Sequence, residues 1–152
     1  TGRTTHQRDR LVTHLLEAAF QREVYTLLDK DESLNGDIIC QIKLDLIKEF
    51  WGEDFEIGED AGLIWMRQPH YYMGLYPYTY SAGLTIGTAM AKQLEEKPEQ
   101  VVETWLETLS LGASLSAQDL AKHAGIDVST DQPLKETIAY VGSLVDKLEE
   151  LV

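Results

Sequence analysis

Five of the chain's seven tyrosines, Tyr71, Tyr72, Tyr76, Tyr78 and Tyr80, stand on one short stretch with His70, Pro69 and Pro77. Phenol O–H and imidazole N–H groups are the donors that bind and polarise a carbonyl. Aimed at an oxyanion, each is worth roughly 2.7–4 kcal/mol; the same donors can hold the backbone of an extended peptide. A buried hydroxyl that finds no partner costs about 1–3 kcal/mol. The stretch is therefore either a partly wet cleft or a polar core with every tip satisfied, such as an aromatic plug whose hydroxyls reach solvent. Spacing alone leaves both open. Tyr76 and Tyr80 are four apart and share a helix face, Tyr78 points to another, and His70 and Tyr72 precede the helix on a segment fixed by Pro69.

The chemistry these donors lack is not found elsewhere in the chain. The histidines are His6, His14, His70 and His123, and no pair builds an H-E-x-x-H zinc motif. There is no G-x-S-x-G, P-loop, G-x-G-x-x-G or C-x-x-C. The acidic stretch Gly52 to Ala61 does not place its oxygen ligands as a calcium loop does, and reads as a solvated loop. No metal ligands are assigned. The donors form half of a site, whose nucleophile or metal-bound water must come from elsewhere.

The elements that must position these donors are helical. Thr5 to Leu28 reads as a helix, with Leu11, His14, Leu15, Ala18, Ala19, Arg22, Val24, Tyr25 and Leu28 at three- and four-residue spacing. His14 is expected as a hydrogen-bonded core residue, and Glu17 and Glu23 as a solvated face. Asn35 caps a second helix ending near Phe50, with Ile38, Ile39, Ile42, Leu46, Ile47 and Phe50 inward. Cys40 is expected to be a buried, inert thiol. A third helix is expected from about Tyr76 to Glu96, with Pro77 in its first turn, where a missing N–H costs nothing. Its stripe Gly83, Gly87 and Ala91 invites close approach of another helix, so this helix is expected to be central and mostly buried. Glu99 to Ser110 follows, with Val102, Trp105, Leu106 and Leu109 inward. Ser116 caps a short helix over Ala117–Ala124 closed by Gly125, and the last runs from Asp131-Gln132-Pro133 to about Leu151 with Leu134, Ile138, Val141, Leu144, Val145 and Leu148 inward. The expected architecture is all-α, a multi-helix bundle forming one unit over residues 1–152.

Composition narrows the partners. A net charge of −13 over 152 residues argues against a nucleic-acid backbone, which needs Lys and Arg. The weakly polar run Tyr76 to Ala91 is shorter than the roughly 20 residues a bilayer core requires, and Thr1 to Arg10 has no apolar signal-peptide region. One cysteine forms no internal disulfide, which favours a reducing compartment.

The run from Pro69 to Leu84, P-H-Y-Y-M-G-L-Y-P-Y-T-Y-S-A-G-L, closely resembles the P-H-F-Y-x-x-F-Y-V-Y-Q-Y-A-T-G-L segment of oligoendopeptidase F, a zinc oligopeptidase family related to thimet oligopeptidase. Trp65 and Arg67 precede it as in that family. Trp105 to Ser114 and Ala124-Gly125-Ile126-Asp127 are similar to its L-x-x-G-x-S and A-G-x-D elements. The resemblance implies the C-terminal part of the catalytic domain of a cytoplasmic, zincin-like helical peptidase whose H-E-x-x-H helix and glutamate ligand lie upstream of Thr1. It implies zinc in the full-length enzyme, none held by these residues, and an oligopeptide substrate whose carbonyl is attacked by a zinc-bound water. His70 and Tyr78 match the family's substrate-binding and oxyanion-stabilising pair. Tyr71, Tyr72 and Tyr80 are substrate-binding neighbours, joined by Tyr76. Two positions depart from the pattern: Pro77 replaces Val or another non-proline, and Thr79 replaces a longer Gln. The competing reading is a non-catalytic all-α module that binds a peptide or partner helix through its aromatic patch. In either case, apolar surface left uncovered would promote self-association.

Overall fold

The computed structural model describes the backbone of residues 2–151 and the side chains of residues 12–151. His6 and Leu11 lie outside those described side chains. Six α-helices and two 3₁₀ helices follow one another, with no strand among the described residues: α1 (Gly2–Asp29), α2 (Gly36–Trp51), the 3₁₀ helices Glu59–Arg67 and Pro69–Met73, α3 (Tyr78–Glu96), α4 (Pro98–Ser110), α5 (Ala117–His123) and α6 (Gln132–Glu149). The all-α expectation holds. None of these helices is long and apolar enough to cross a membrane.

Contacts gather into two compact units, one spanning Asp9–Ser81 and the other Ala82 onward with the start of α1. In the first, α1 ends where Asp31 takes φ +57°, after Glu32 N–H has bonded back to the Leu27 carbonyl at 3.0 Å. Asn35 restarts the chain as a helix by accepting from the Ile38 N–H at 2.9 Å, satisfying one of the orphan donors of a helix start. The Glu59–Arg67 3₁₀ helix packs along α2. Gly62 permits that approach, because a Cβ there would stand 2.7 Å from the Cys40 carbonyl oxygen. Trp65 adds a hydrogen bond from Nε1 to Cys40 Sγ at 3.3 Å. Cys40 is half-buried rather than fully buried.

The buried faces of this unit differ from those the apolar spacing predicts. Among the described side chains of α1 the buried ones are Glu17, Phe20 and Gln21, while Leu15 and Leu28 are exposed. Glu17 is 5% exposed, so the solvated face expected of it is corrected: both of its oxygens carry hydrogen bonds from the protein. On α2 the buried pair is Lys43 and Leu44, while Ile38 and Phe50 are exposed. Lys43 escapes a rule that sends cations outward because a phenol and two aromatic rings receive its ammonium.

In the second unit, Ala89 and Met90 of α3 meet Ala124 and Ile126, with Ile86 and Val101 against them. Ser116 accepts from Asp119 N–H at 3.1 Å to start α5, and Gly125, at φ +84°, closes it. Two expectations are overturned here. Val102, Trp105, Leu106 and Leu109 of α4 face outward, and Thr108 is the buried residue of that helix. The stripe Gly83, Gly87 and Ala91 is exposed as well, and Cβ atoms added at the two glycines would meet nothing within 4 Å. Small residues there open a groove of about 350 Å³ in which Lys92 pairs with Glu136 at 3.3 Å. On α6, Pro133 and Thr137 are buried, while Ile138, Val145 and Leu148 of the expected stripe are exposed.

Candidate functional site: a histidine and tyrosine donor cluster

The aromatic stretch folds as a 3₁₀ turn, a reversal and a helix start. Pro69 opens the Pro69–Met73 turn. The reversal needs two successive left-handed residues, Gly74 at φ +52° and Leu75 at φ +42°. Glycine takes that region freely; leucine does so at a steric cost. Pro77 is fully buried and stands one residue ahead of α3, which begins at Tyr78 rather than at Tyr76. The Tyr76 carbonyl accepts from Thr79 N–H at 3.1 Å, so the turn that starts the helix also fixes Tyr76 beside it.

This reversal brings His70 back onto Tyr76 and Tyr80. His70 Nε2 lies 3.1 Å from Tyr80 Oη, and Tyr80 O–H donates to Tyr76 Oη at 3.4 Å. With that proton committed, the Tyr80 oxygen accepts from His70 Nε2–H. The rings pack as a set: His70 stacks on Tyr76 at 5.6 Å and 15°, and Tyr80 stands edge-on to both, 5.6 Å from His70 and 5.3 Å from Tyr76. His70 Nδ1 is buried without a hydrogen-bond partner among the described residues. Tyr76 and Tyr80 are 38% and 39% exposed. The cluster thus combines rings held by packing with tips that reach solvent.

The remaining tyrosines part company with it. Tyr72 is 76% exposed on the turn, and Tyr78 is 52% exposed at the first residue of α3. Tyr71 turns inward instead. Its hydroxyl accepts from Lys43 Nζ at 3.1 Å, its carbonyl accepts from Gln21 Nε2 at 3.2 Å, and its ring packs 5.0 Å from Phe20. Burial pushes the Tyr71 phenol well above its ordinary range, with the charge of Glu17 adding to the effect. Burial also lowers the Lys43 ammonium below the usual lysine value, partly offset by Glu17. Tyr71 is therefore the anchor of the turn that carries His70, while its own phenol is used internally.

One neighbour was hidden from the spacing argument. The His14 ring lies flat against Tyr80, 4.3 Å between centroids at 19°. Its Nδ1 meets Glu17 Oε2 at 2.7 Å. A histidine and a glutamate three apart on one helix were the available signal, but nothing in the sequence says that Tyr80 comes to rest on that ring.

No three His, Cys, Asp or Glu side chains converge as a metal-ligand set among the described residues. The cluster can donate hydrogen bonds to a carbonyl or an oxyanion; it does not fit the ligand set of a zinc ion.

The all-α fold, with this donor stretch at a helix start, is similar to part of a solved structure. The crystal structure of oligoendopeptidase-F from Enterococcus faecium superposes with a TM-score of 0.87 over 91% of this chain and 27% of that one, at 24% identity. In sequence, the chain is related to the oligoendopeptidase F peptidases along nearly its whole length. Oligopeptidase PepF of Bacillus subtilis is 27% identical over 96% of this chain and 24% of its own length. An oligoendopeptidase F homolog of Borreliella burgdorferi is 22% identical over 88% of this chain and 23% of its own length. The chain therefore spans about a quarter of the curated relatives it matches. No family model matches it.

Proposed function

We propose that residues 1–152 act as one all-α part, the C-terminal portion of the catalytic domain, of a cytoplasmic zinc-dependent oligopeptidase. In this reading the chain supplies a wall of the substrate cleft and the donors that steady the scissile carbonyl. The observation that carries it is the hydrogen-bonded line from His70 Nε2–H through Tyr80 to Tyr76, inside the stretch that resembles the peptidase motif. The line leaves the Tyr76 proton for a ligand, and the half-exposed Tyr78 stands ready as a further donor. Tyr78 is assigned to the oxyanion directly and His70 through the line that ends at the Tyr76 proton; Tyr76 and Tyr80 hold the peptide, with exposed Tyr72 at its edge. For Tyr71, substrate binding is indirect, through the turn it anchors. Zinc would be held by the upstream part of the same protein, because the residues described here do not form its ligand set. That upstream part and an oligopeptide are the expected partners.

In the full-length protein, Tyr78→Phe should lower kcat by roughly 10²–10³-fold, the usual cost of removing one oxyanion donor, with a much smaller change in KM. An unchanged kcat refutes the role. The 152-residue chain by itself should bind no stoichiometric zinc and cleave no quenched fluorescent oligopeptide; turnover with bound zinc from these residues alone overturns the assignment.

The outward apolar face of α4 favours a second reading, a non-catalytic module that docks a helix or self-associates. It is distinguished by the reading frame upstream of Thr1. An H-E-x-x-H within a few hundred residues decides for the peptidase.

A further inference from the structure

We propose that Glu17 is a positioning residue for the donor cluster, acting through His14 on Tyr80 and through Gln68 on His70. The inference rests on reading His70, Tyr76 and Tyr80 as the working donors. A carboxylate only 5% exposed must have its charge satisfied by the protein. Glu17 does so with two different partners. Oε2 lies 2.7 Å from His14 Nδ1, and Oε1 accepts from Gln68 Nε2 at 2.8 Å. These partners lead to opposite ends of the His70–Tyr80 hydrogen bond. The His14 ring is the flat surface on which Tyr80 rests, at 4.3 Å and 19°. Gln68 is the residue before Pro69, where the chain enters the turn that carries His70.

The carboxylate on Nδ1 fixes which imidazole nitrogen carries the proton and the plane in which the ring lies, as orienting carboxylates do for histidines generally. With that plane fixed, Tyr80 has one face against which to pack, and its hydroxyl falls 3.1 Å from His70 Nε2. One buried anion thus holds both members of a hydrogen bond whose own residues are 10 apart in sequence. The bland alternative is that Glu17 only satisfies His14 inside α1. That alternative leaves the flat stack on Tyr80 and the reach to Gln68 without consequence for His70.

The test compares His14→Ala, which removes the stacking surface, with His14→Phe, which keeps a flat ring but gives up the Glu17 bond. Two readouts are taken on full-length protein: the ring-nitrogen resonances of His70 in histidine-labelled material, and kcat against KM with an oligopeptide. His14→Ala should move the His70 resonances and lower kcat about tenfold or more at nearly constant KM, the scale expected when a reacting group is misplaced. His14→Phe keeps the ring but loses the Glu17 bond that fixes its plane, so it should still move the His70 resonances and leave kcat about tenfold below wild type. Glu17→Gln, which keeps the size but loses one of the two charge-assisted bonds, should move the same resonances by less, and serves if His14→Ala does not fold. Unmoved His70 resonances in both His14→Ala and Glu17→Gln overturn the proposal, as does a His14→Phe variant with wild-type kcat and unmoved His70 resonances, which would show that the stack needs no bond to Glu17. If the wild-type protein cleaves no peptide, the peptidase reading fails, and the His70 resonances still decide whether Glu17 positions the cluster.

Discussion

The Lys43–Tyr71 pair predicts an asymmetry that a contact tally would miss. Lys43 is 4% exposed and its ammonium is 3.1 Å from Tyr71 Oη, with Phe20 and Tyr71 rings at 5.3 and 5.7 Å. Among the described residues no carboxylate lies within salt-bridge reach of it; Glu17 acts only at longer range. Tyr71→Phe therefore strands a buried cation without its oxygen and should cost about 1–3 kcal/mol, toward the upper end because the donor is charged. Lys43→Met removes the cation itself. It forfeits a hydrogen bond and a cation–π contribution of about 0.5–2 kcal/mol, but also removes the desolvation penalty, so it should stay within about 1 kcal/mol of wild type. In the Lys43→Met background, Tyr71→Phe should then cost almost nothing. Urea unfolding of the four proteins in a double-mutant cycle measures this directly. The pH dependence supplies a second arm. The folded state lowers the Lys43 pKa, so below 10.5 there is a window in which the unfolded chain holds a proton that the fold has lost. Stability rises with pH through that window, by at most about 1.4 kcal/mol per unit for one proton. Tyr71 acts oppositely: its raised pKa keeps the phenol protonated in the fold after the unfolded chain has begun to lose that proton at about 10.0, so stability falls above that value. Lys43→Met should abolish the rise, and Tyr71→Phe the fall. A Lys43→Met variant less stable than Tyr71→Phe, or a Tyr71→Phe cost unchanged in the double mutant, refutes the reasoning.

Two further predictions concern the frame around the site. Asn35→Ala removes the acceptor of the Ile38 N–H at the start of α2 and should cost about 1 kcal/mol in urea unfolding. Gly62→Ala places a methyl 2.7 Å from the Cys40 carbonyl oxygen, a backbone atom that cannot step aside, and should cost about 1–3 kcal/mol with loss of the Trp65–Cys40 contact seen as a change in tryptophan fluorescence.

What was legible in the sequence was local. Asn35, Ser116 and Gly125 mark helix ends through chemistry confined to a few neighbouring residues, and each does so in the structure. Tyr76 and Tyr80 were expected on one face because i and i+4 meet on any helical turn; they touch although Tyr76 lies two residues before α3 begins. The placement of His70 was not legible, since it depends on consecutive left-handed residues at Gly74 and Leu75, and leucine gives no warning of that conformation. Nor was the polar interior. Periodicity rules send Glu17, Gln21 and Lys43 outward because isolated charges and amides belong in water. Here they are buried as a group, joined by hydrogen bonds to Gln68 and to the carbonyl and hydroxyl of Tyr71. A one-dimensional pattern cannot see partners that stand 28 to 51 residues away.

The outward faces obey a different logic from the inward ones. The apolar spacing of α4 is a sound reading of an amphipathic helix, yet it is the stripe of Val102, Trp105, Leu106 and Leu109 that faces away from the residues described here. Together with Gly87, Ala91 and Leu94 of α3, much of that stripe lines a groove of about 320 Å³. Period identifies a face that some surface should cover; it does not say that this surface lies in the same 152 residues. On the reading proposed above, the rest of a chain about four times longer, judged by the 22–24% of the relatives' length that is matched, supplies the cover. The donor cluster has the same character. On the readings proposed above, His70, Tyr76 and Tyr80 are braced from within by Glu17, His14 and Lys43-anchored Tyr71, while the Tyr76 and Tyr80 rings stay partly exposed and the nucleophile comes from elsewhere in the protein. Bracing a donor from behind and leaving its front open is how a rigid wall serves a reaction whose other reactant is brought to it.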